Sequence, residues 1–316
     1  MSHHKICFLF PGQGSQYVGM GKDFYEKFEV AQKVFDKADE VLGKSFSQLL
    51  FEGPMEELTL TKNSQPAIYV MSFAIYQVFS ELYPNVTPYA CAGLSLGEYT
   101  ALAASGRISF EEGLRLVAKR ASLMQEACEI SSGSMRVVLG SEESFVASVL
   151  SSLQGKDVCI ANINCPGQIV IAGTKVGLEE ASLKLKEAGA KRILPLEVSG
   201  AFHSNLMLPA KEGLTPFLLE AHLKDTPVRF VMNTVGGFVE DLQKIRENLI
   251  DQVTEPVYWQ KGIEEMEREG ATHFIEMGCG KTLQGMNKRI GVKAPTCSIE
   301  KVEELANIEE FLHVTT

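Results

Sequence analysis

The chain has 316 residues, 45% hydrophobic and 22% charged, which are the proportions of an ordinary globular protein and argue against disorder. A single hydrophobic core stops growing near about 250–300 residues, so one large domain with an insertion, or two domains, is expected. Forty acidic residues against 30 basic ones give a net charge of −10; this argues against sequence-independent binding to nucleic acid, although a local basic patch can still receive an acidic partner.

The run 6–10 is short, apolar and ended by Pro11-Gly12, the pattern of a strand. Helical stretches follow over 22–42 and 64–82. The most apolar stretch, 67–79, is too short to span a bilayer and contains Ser72 and Gln77. Residues 89–93 read as a buried strand, 96–104 as a helix ended by Gly106, and 110–129 as another helix.

The middle of the chain changes pattern. A strand at 135–139, a helix at 142–153, a strand at 158–162, a Pro166-Gly167 turn, a strand at 169–172, a helix at 178–188 and a strand at 192–198 give the order βαββαβ. That is the ferredoxin-like arrangement, here placed between two pieces of a larger unit. From 228 onward α/β material returns: a strand at 228–232, helices at 241–252 and 259–269, a strand at 273–277 and a helix running to Arg289.

Seven cysteines without a C-x-x-C pair argue against a disulfide framework or a zinc site, and no metal is expected. The start, Met1-Ser-His-His-Lys5, has no apolar signal-peptide core, so a cytoplasmic protein is expected, with no membrane attachment. Two phosphate-binding patterns fail. Gly12-Gln-Gly14 follows a strand, but the third glycine position holds Tyr17. Gly280-Lys281-Thr282 lacks its upstream glycine, where Ile275 stands.

Gly93-Leu94-Ser95-Leu96-Gly97 matches G-x-S-x-G, with a strand before it and a helix after it. Such a turn lifts the serine hydroxyl clear of the sheet and aims the following N–H, from Leu96, at an oxyanion. The bland alternative is a serine at a helix N-cap. A serine nucleophile needs a base. Of six histidines, His3, His4 and His313 are terminal, His222 lies in a helical run and His273 in a strand. His203, in Ser199-Gly-Ala-Phe-His-Ser204, is the remaining candidate, although each histidine has an ordinary structural alternative. The only aspartate between Ser95 and His203 is Asp157, inside the small βαββαβ unit, which leaves a backbone carbonyl as one candidate to orient His203. On the helix at 110–129, with roughly 100° per residue, Arg120 falls among Leu116 and Met124 rather than on the polar face of Arg115, Lys119, Ser122 and Glu126. A desolvated guanidinium needs an internal carboxylate, a route to solvent or an anionic ligand.

Phe10-Pro-Gly-Gln-Gly-Ser-Gln16, Gly93-Leu-Ser-Leu-Gly-Glu98, Arg120 with Met124-Gln125, Asn164-Cys-Pro-Gly-Gln168 and Ala201-Phe-His-Ser204 occur in this order. Together, over about residues 5–300, they resemble the malonyl-CoA:acyl-carrier-protein transacylases of dissociated (type II) fatty-acid synthesis. The resemblance implies an α/β-hydrolase-like large domain, 1–129 and 199–316, with a ferredoxin-like insertion at 130–198. It implies Ser95 as nucleophile and His203 as base, an oxyanion hole from the N–H groups of Gln13 and Leu96, Arg120 on the malonyl carboxylate, and the carbonyl of Gln252 holding the His203 ring. It further implies malonyl-CoA and acyl carrier protein as partners, no cofactor, and a monomer. A serine hydrolase or thioesterase on the same scaffold is the alternative, and Arg120 discriminates, since a neutral acyl chain has no use for a buried cation. Leu94 departs from the histidine that many members carry, and Cys279 from a common proline. Phe202 matches the pattern that selects malonyl over methylmalonyl. Lys184, Lys186, Lys191, Arg192, Lys288 and Arg289 are candidate cations for the carrier, or simply solvated helix faces.

Overall fold

The computed structural model describes residues 4–313 except 154 and 156; His3 lies outside them. In chain order the strands are β1 Ile6–Phe10, β2 Ala90–Gly93, β3 Gly133–Leu139, β4 Val158–Cys165, β5 Gln168–Thr174, β6 Arg192–Pro195, β7 Arg229–Met232, β8 Gly237–Phe238, β9 His273–Met277 and β10 Thr296–Ile299. The large sheet runs β10-β9-β1-β2-β7-β8, parallel except for the short antiparallel β8 at its edge. All five residues of β1 are buried, as an unbroken apolar run demands in a parallel sheet covered on both faces. The helix Thr61–Leu82 packs over one face together with the helix Gly97–Ala104, and its apolar segment is core: Ala67, Ile68, Val70, Met71 and Ile75 are buried. Among the described residues no helix is long and apolar enough to cross a membrane.

The second sheet has the order β4-β5-β3-β6 and is antiparallel throughout. Helices Glu143–Ser151 and Lys175–Glu187 cover one face, packing Val146, Leu178, Ala181 and Leu185 against Val138 and Ile171. The alternation of a half-buried strand turns Met135 and Val137 of β3 to the other face, toward the large unit. This is the ferredoxin-like order, so the fold is an α/β-hydrolase-like unit with a ferredoxin-like sheet.

Several elements depart from the sequence expectation. The helix expected over 22–42 is two, Lys22–Lys27 and Glu29–Leu42, separated by Phe28 in extended conformation (φ −127°, ψ 122°). No glycine or proline marks that break; Phe28 turns its ring onto the core beside Phe24. His222 does not sit in a helix: the helix Leu208–Glu220 ends before it, and its exposed ring meets Glu112. β10 was not anticipated, because four residues of mixed polarity carry no clear period.

The parallel strands β1, β2, β7 and β9 bring their carboxyl ends to one edge of the sheet. The loops after Phe10, Gly93, Met232 and Met277 therefore gather there, the usual place for a ligand crevice in such sheets.

Candidate active site

Ser95 occupies the turn between β2 and the helix Gly97–Ala104 with φ 51°. His203, with φ 57°, is the other non-glycine residue with positive φ among the described residues. Backbone strain of this kind persists only where the surroundings over-determine it, and it clusters at functional sites. The two glycines around Ser95 are sterically required. A Cβ on Gly93 would lie 1.9 Å from the carbonyl carbon of Gly97, and one on Gly97 would lie 2.1 Å from the Phe10 oxygen.

The Ser95 Oγ and His203 Nε2 are 2.8 Å apart, and His203 Nδ1 lies 2.7 Å from the Gln252 carbonyl oxygen. A carbonyl only accepts, so Nδ1 carries the proton and Nε2 is left as the acceptor for the serine hydroxyl. Among the described residues no carboxylate holds the ring; a main-chain oxygen does. His203 is 3% exposed, and burial, with the Arg120 charge second, pulls its pKa down to about 4. The imidazole is thus neutral near pH 7, the state a base requires.

Arg120 is 1% exposed, and among the described residues no carboxylate pairs with it. Its guanidinium donates to three neutral oxygens: Gln65 Oε1 at 2.5 Å, Gln252 Oε1 at 3.0 Å and Ser95 Oγ at 3.2 Å. Its Nε finds no acceptor, and the Tyr99 ring lies 5.5 Å from the guanidinium carbon. Burial pulls its pKa down, but from so high a value that the charge remains. The polar face expected for this helix is present: Arg115 and Glu126 are exposed, while Leu116 and Met124 are buried beside Arg120.

Gln13 and Leu96 lie on the loops after β1 and β2. Among the described residues neither N–H donates to an internal acceptor. The two loops touch: a Cβ on Gly12 would sit 2.6 Å from the Leu94 carbonyl oxygen. Gln252 follows the helix Leu242–Asp251 and is fully buried. Its Nε2 donates to the Ser95 carbonyl at 2.9 Å and to Glu98 Oε2 at 2.6 Å.

Gln13, Gln65, Ser95, Leu96 and His203 border a cavity of about 330 Å³ between the two sheets, whereas Arg120 and Gln252 are not among its lining residues. Ser95, His203, Gln13, Leu94 and Phe202 line it from the large unit, Met135 and Val137 from the small one. Gln168 also lines it and accepts from Arg289 at 3.3 Å, which puts Arg289 at its rim. Lys186, Lys191, Arg192 and Lys288 are exposed, and Lys184 pairs with Glu187. Cys279, where proline is common, is buried, and its carbonyl accepts from Ser15. Lys281, the end of the failed phosphate-loop pattern, pairs with Glu304. Among the described residues no group of His, Cys, Asp and Glu could hold a metal ion.

Sequence reasoning missed Gln65, Asn233 and the contacts of Glu98. Asn233 Oδ1 accepts from the Ser95 N–H at 2.7 Å, and its Nδ2 donates to the Gly93 carbonyl at 2.7 Å. Its position directly after a parallel strand was the available signal. Glu98 stands in the serine motif but is fully buried; burial pushes its carboxyl up to about 8.

A mixed α/β fold with a histidine-coupled serine at a strand-to-helix turn is common to serine acyltransferases and hydrolases; the acyl transferase domain model, which matches residues 7–299, places the chain among the acyltransferases. The malonyl CoA-acyl carrier protein transacylase of Bacillus subtilis (strain 168) is 45% identical over 303 residues, 95% of each chain. An acyl carrier protein S-malonyltransferase from Vibrio cholerae superposes with a TM-score of 0.92 at 39% identity, covering 96% of this chain and 99% of that one. A malonyl-transacylase solved in complex with its type II PKS acyl-carrier protein gives a TM-score of 0.92 at 36% identity, covering 97% and 99%. The chain belongs to the malonyl CoA-acyl carrier protein transacylase family.

Proposed function

We propose that the chain transfers malonyl from malonyl-CoA to the phosphopantetheine thiol of acyl carrier protein through a malonyl ester on Ser95, and so supplies fatty-acid chain elongation. The observation that carries this reading is the position of Ser95 Oγ, 2.8 Å from the His203 base and 3.2 Å from the Arg120 guanidinium. One hydroxyl therefore meets both a proton acceptor and a cation suited to the free carboxylate of a malonyl group.

His203 Nε2 takes the hydroxyl proton as Oγ bonds to the thioester carbonyl carbon. The N–H groups of Gln13 and Leu96 receive the oxyanion. The tetrahedral adduct collapses, the C–S bond breaks, and His203 returns its proton to the departing CoA thiolate. In the second half-reaction His203 deprotonates the carrier thiol, which attacks the malonyl ester; Ser95 leaves as alkoxide and recovers the proton. Every bond and proton balances without a metal or redox cofactor. The Gln252 carbonyl keeps the tautomer correct through both halves. The Arg120 charge is the second cause depressing His203, so a malonyl carboxylate that pairs with it makes His203 a better base when substrate is bound.

The same reading divides the chain into a catalytic unit, 1–129 with 199–316, and an insertion, 130–198, that closes over the serine. It is a monomer in the cytoplasm that binds neither nucleic acid nor membrane. Phe202, lining the cavity, crowds an α-methyl group and favours malonyl over methylmalonyl. The alternative, a hydrolase that uses water as acceptor, is disfavoured by Arg120. Intact-mass analysis after incubation with malonyl-CoA alone tests both: a single malonyl adduct on Ser95, discharged by holo carrier protein, is expected. Free malonate without adduct or transfer supports hydrolysis instead.

A further inference from the structure

We propose that Glu98 is the positioning residue of this site: through Gln252 and Asn233 it holds the backbone around Ser95 and the His203 ring, and it keeps a carbonyl oxygen turned toward Arg120. The inference rests on the transfer reading above and assigns that site a further residue. Glu98 lies in the first turn of the helix Gly97–Ala104, fully buried, and both partners of its carboxyl group are neutral N–H donors. Oε1 accepts from the Asn233 N–H at 2.6 Å and Oε2 from Gln252 Nε2 at 2.6 Å.

The polarity of this network is fixed by groups that cannot reverse. A guanidinium only donates, so the Gln252 atom facing Arg120 Nη2 is oxygen, and its amide nitrogen must face Glu98 and the Ser95 carbonyl. The Asn233 N–H likewise only donates. The Asn233 side chain is fixed in the same way, between the Ser95 N–H and the Gly93 carbonyl. Glu98 must therefore accept twice, which both oxygens of a carboxyl group can do in either protonation state, whereas the nitrogen of a carboxamide of the same shape cannot accept. An amide there would set a donor against a donor, so either the Gln252 amide turns over or Asn233 moves. In the first case an NH2 faces Arg120, and the peptide whose oxygen holds His203 Nδ1 loses its side-chain anchor. In the second the strained turn of Ser95 loosens.

This arrangement links two features of the site. Arg120 is surrounded by neutral acceptors and keeps a net positive charge for an anionic acyl group, while the nearest buried acid is spent on aligning donors rather than on neutralising it. The same Gln252 carries both the His203 contact and an Arg120 contact, so one acid sets general-base alignment and acyl selection together.

The test uses Glu98→Gln and Gln252→Met, the latter removing the amide while keeping the backbone carbonyl. Two readouts are taken on the full chain: the rate at which an uncharged fluorophosphonate labels Ser95, and the ratio of malonyl to acetyl transfer from their CoA thioesters. Glu98→Gln is expected to slow labelling about tenfold or more and to lower the ratio by about tenfold, the size of one or two misaligned hydrogen bonds. Glu98→Asp recovers part of both. Gln252→Met shows the same pair of losses, and the double variant is no worse than the poorer single one. Folded variants with both readouts within about twofold of the parent, or losses that add in the double variant, overturn the proposal. Slower labelling with an unchanged ratio overturns the link to Arg120. If Glu98→Gln does not fold, Gln252→Met decides on the same criteria. A parent that transfers no malonyl sinks the transfer reading, whereas Ser95 labelling still tests Glu98.

Discussion

Arg120 Nη2 donates to Ser95 Oγ at 3.2 Å, so a buried cation sits directly against the hydroxyl that His203 also holds. The pairing is compatible with a nucleophile because the guanidinium has other neutral acceptors, Gln65 and Gln252, and can exchange the serine for a carboxylate. Removing a charged group from water is costly, and that cost is recovered only when an anion arrives. Under the proposed transfer, this geometry accounts for selection of an acid-bearing acyl group.

Arg120→Ala should therefore lower malonyl transfer by about 100-fold or more, since two charge-assisted hydrogen bonds of about 1.5–3 kcal/mol each are lost, and should lower acetyl transfer far less. Arg120→Lys recovers only part, because an ammonium cannot match both oxygens. Steady-state kinetics with the two thioesters decide the matter. An equal loss for both acyl groups would mean that Arg120 only supports the fold.

The acid limb of kcat/KM for malonyl-CoA should lie low. With His203 drawn down to about 4, Nε2 stays unprotonated as pH falls from 8 toward about 5, and activity drops only as pH approaches that value and the base takes up a proton. A pH profile with an acid midpoint above about 6 would show that the buried imidazole is not depressed in solution.

Gly93→Ala and Gly97→Ala should each destabilise the turn by about 2 kcal/mol or more, because the added methyl meets backbone rather than a movable side chain. Thermal denaturation followed by circular dichroism measures this. Gly285→Ala, at a helical position where a Cβ meets nothing within 4 Å, is the control and should be neutral or slightly stabilising. Equal melting temperatures for all three would overturn the steric account of the turn.

Reversing Lys288 and Arg289 to glutamate should slow discharge of the malonyl-enzyme by the acidic carrier by several-fold, increasingly so at low salt, while acylation by malonyl-CoA changes little. Arg289 at the cavity rim motivates the choice. Single-turnover measurements of each half-reaction separate the two. Equal loss in both would place these cations on the CoA path or leave them merely structural.

By itself the sequence determined the pieces whose signals are local. Alternating strand and helix patterns with a Pro166-Gly167 turn marked the ferredoxin-like order, an unbroken apolar run marked β1, and glycines flanking Ser95 marked a turn that only glycine permits. The misplaced cation at 120 was legible because helical periodicity places each residue on a face. The break at Phe28, the strand β10 and the end of the helix before His222 were not legible, since packing rather than local propensity sets them. Only the tertiary structure decided which groups complete the site. Gln65, Glu98, Asn233 and the side chain of Gln252, whose carbonyl alone the resemblance implied, come from parts of the chain far apart in sequence. Their partnership depends on parallel strands delivering their carboxyl ends to one edge, and on donors and acceptors of fixed polarity meeting there within hydrogen-bond reach. A chain read one residue at a time records the donors and acceptors but not which of them will meet.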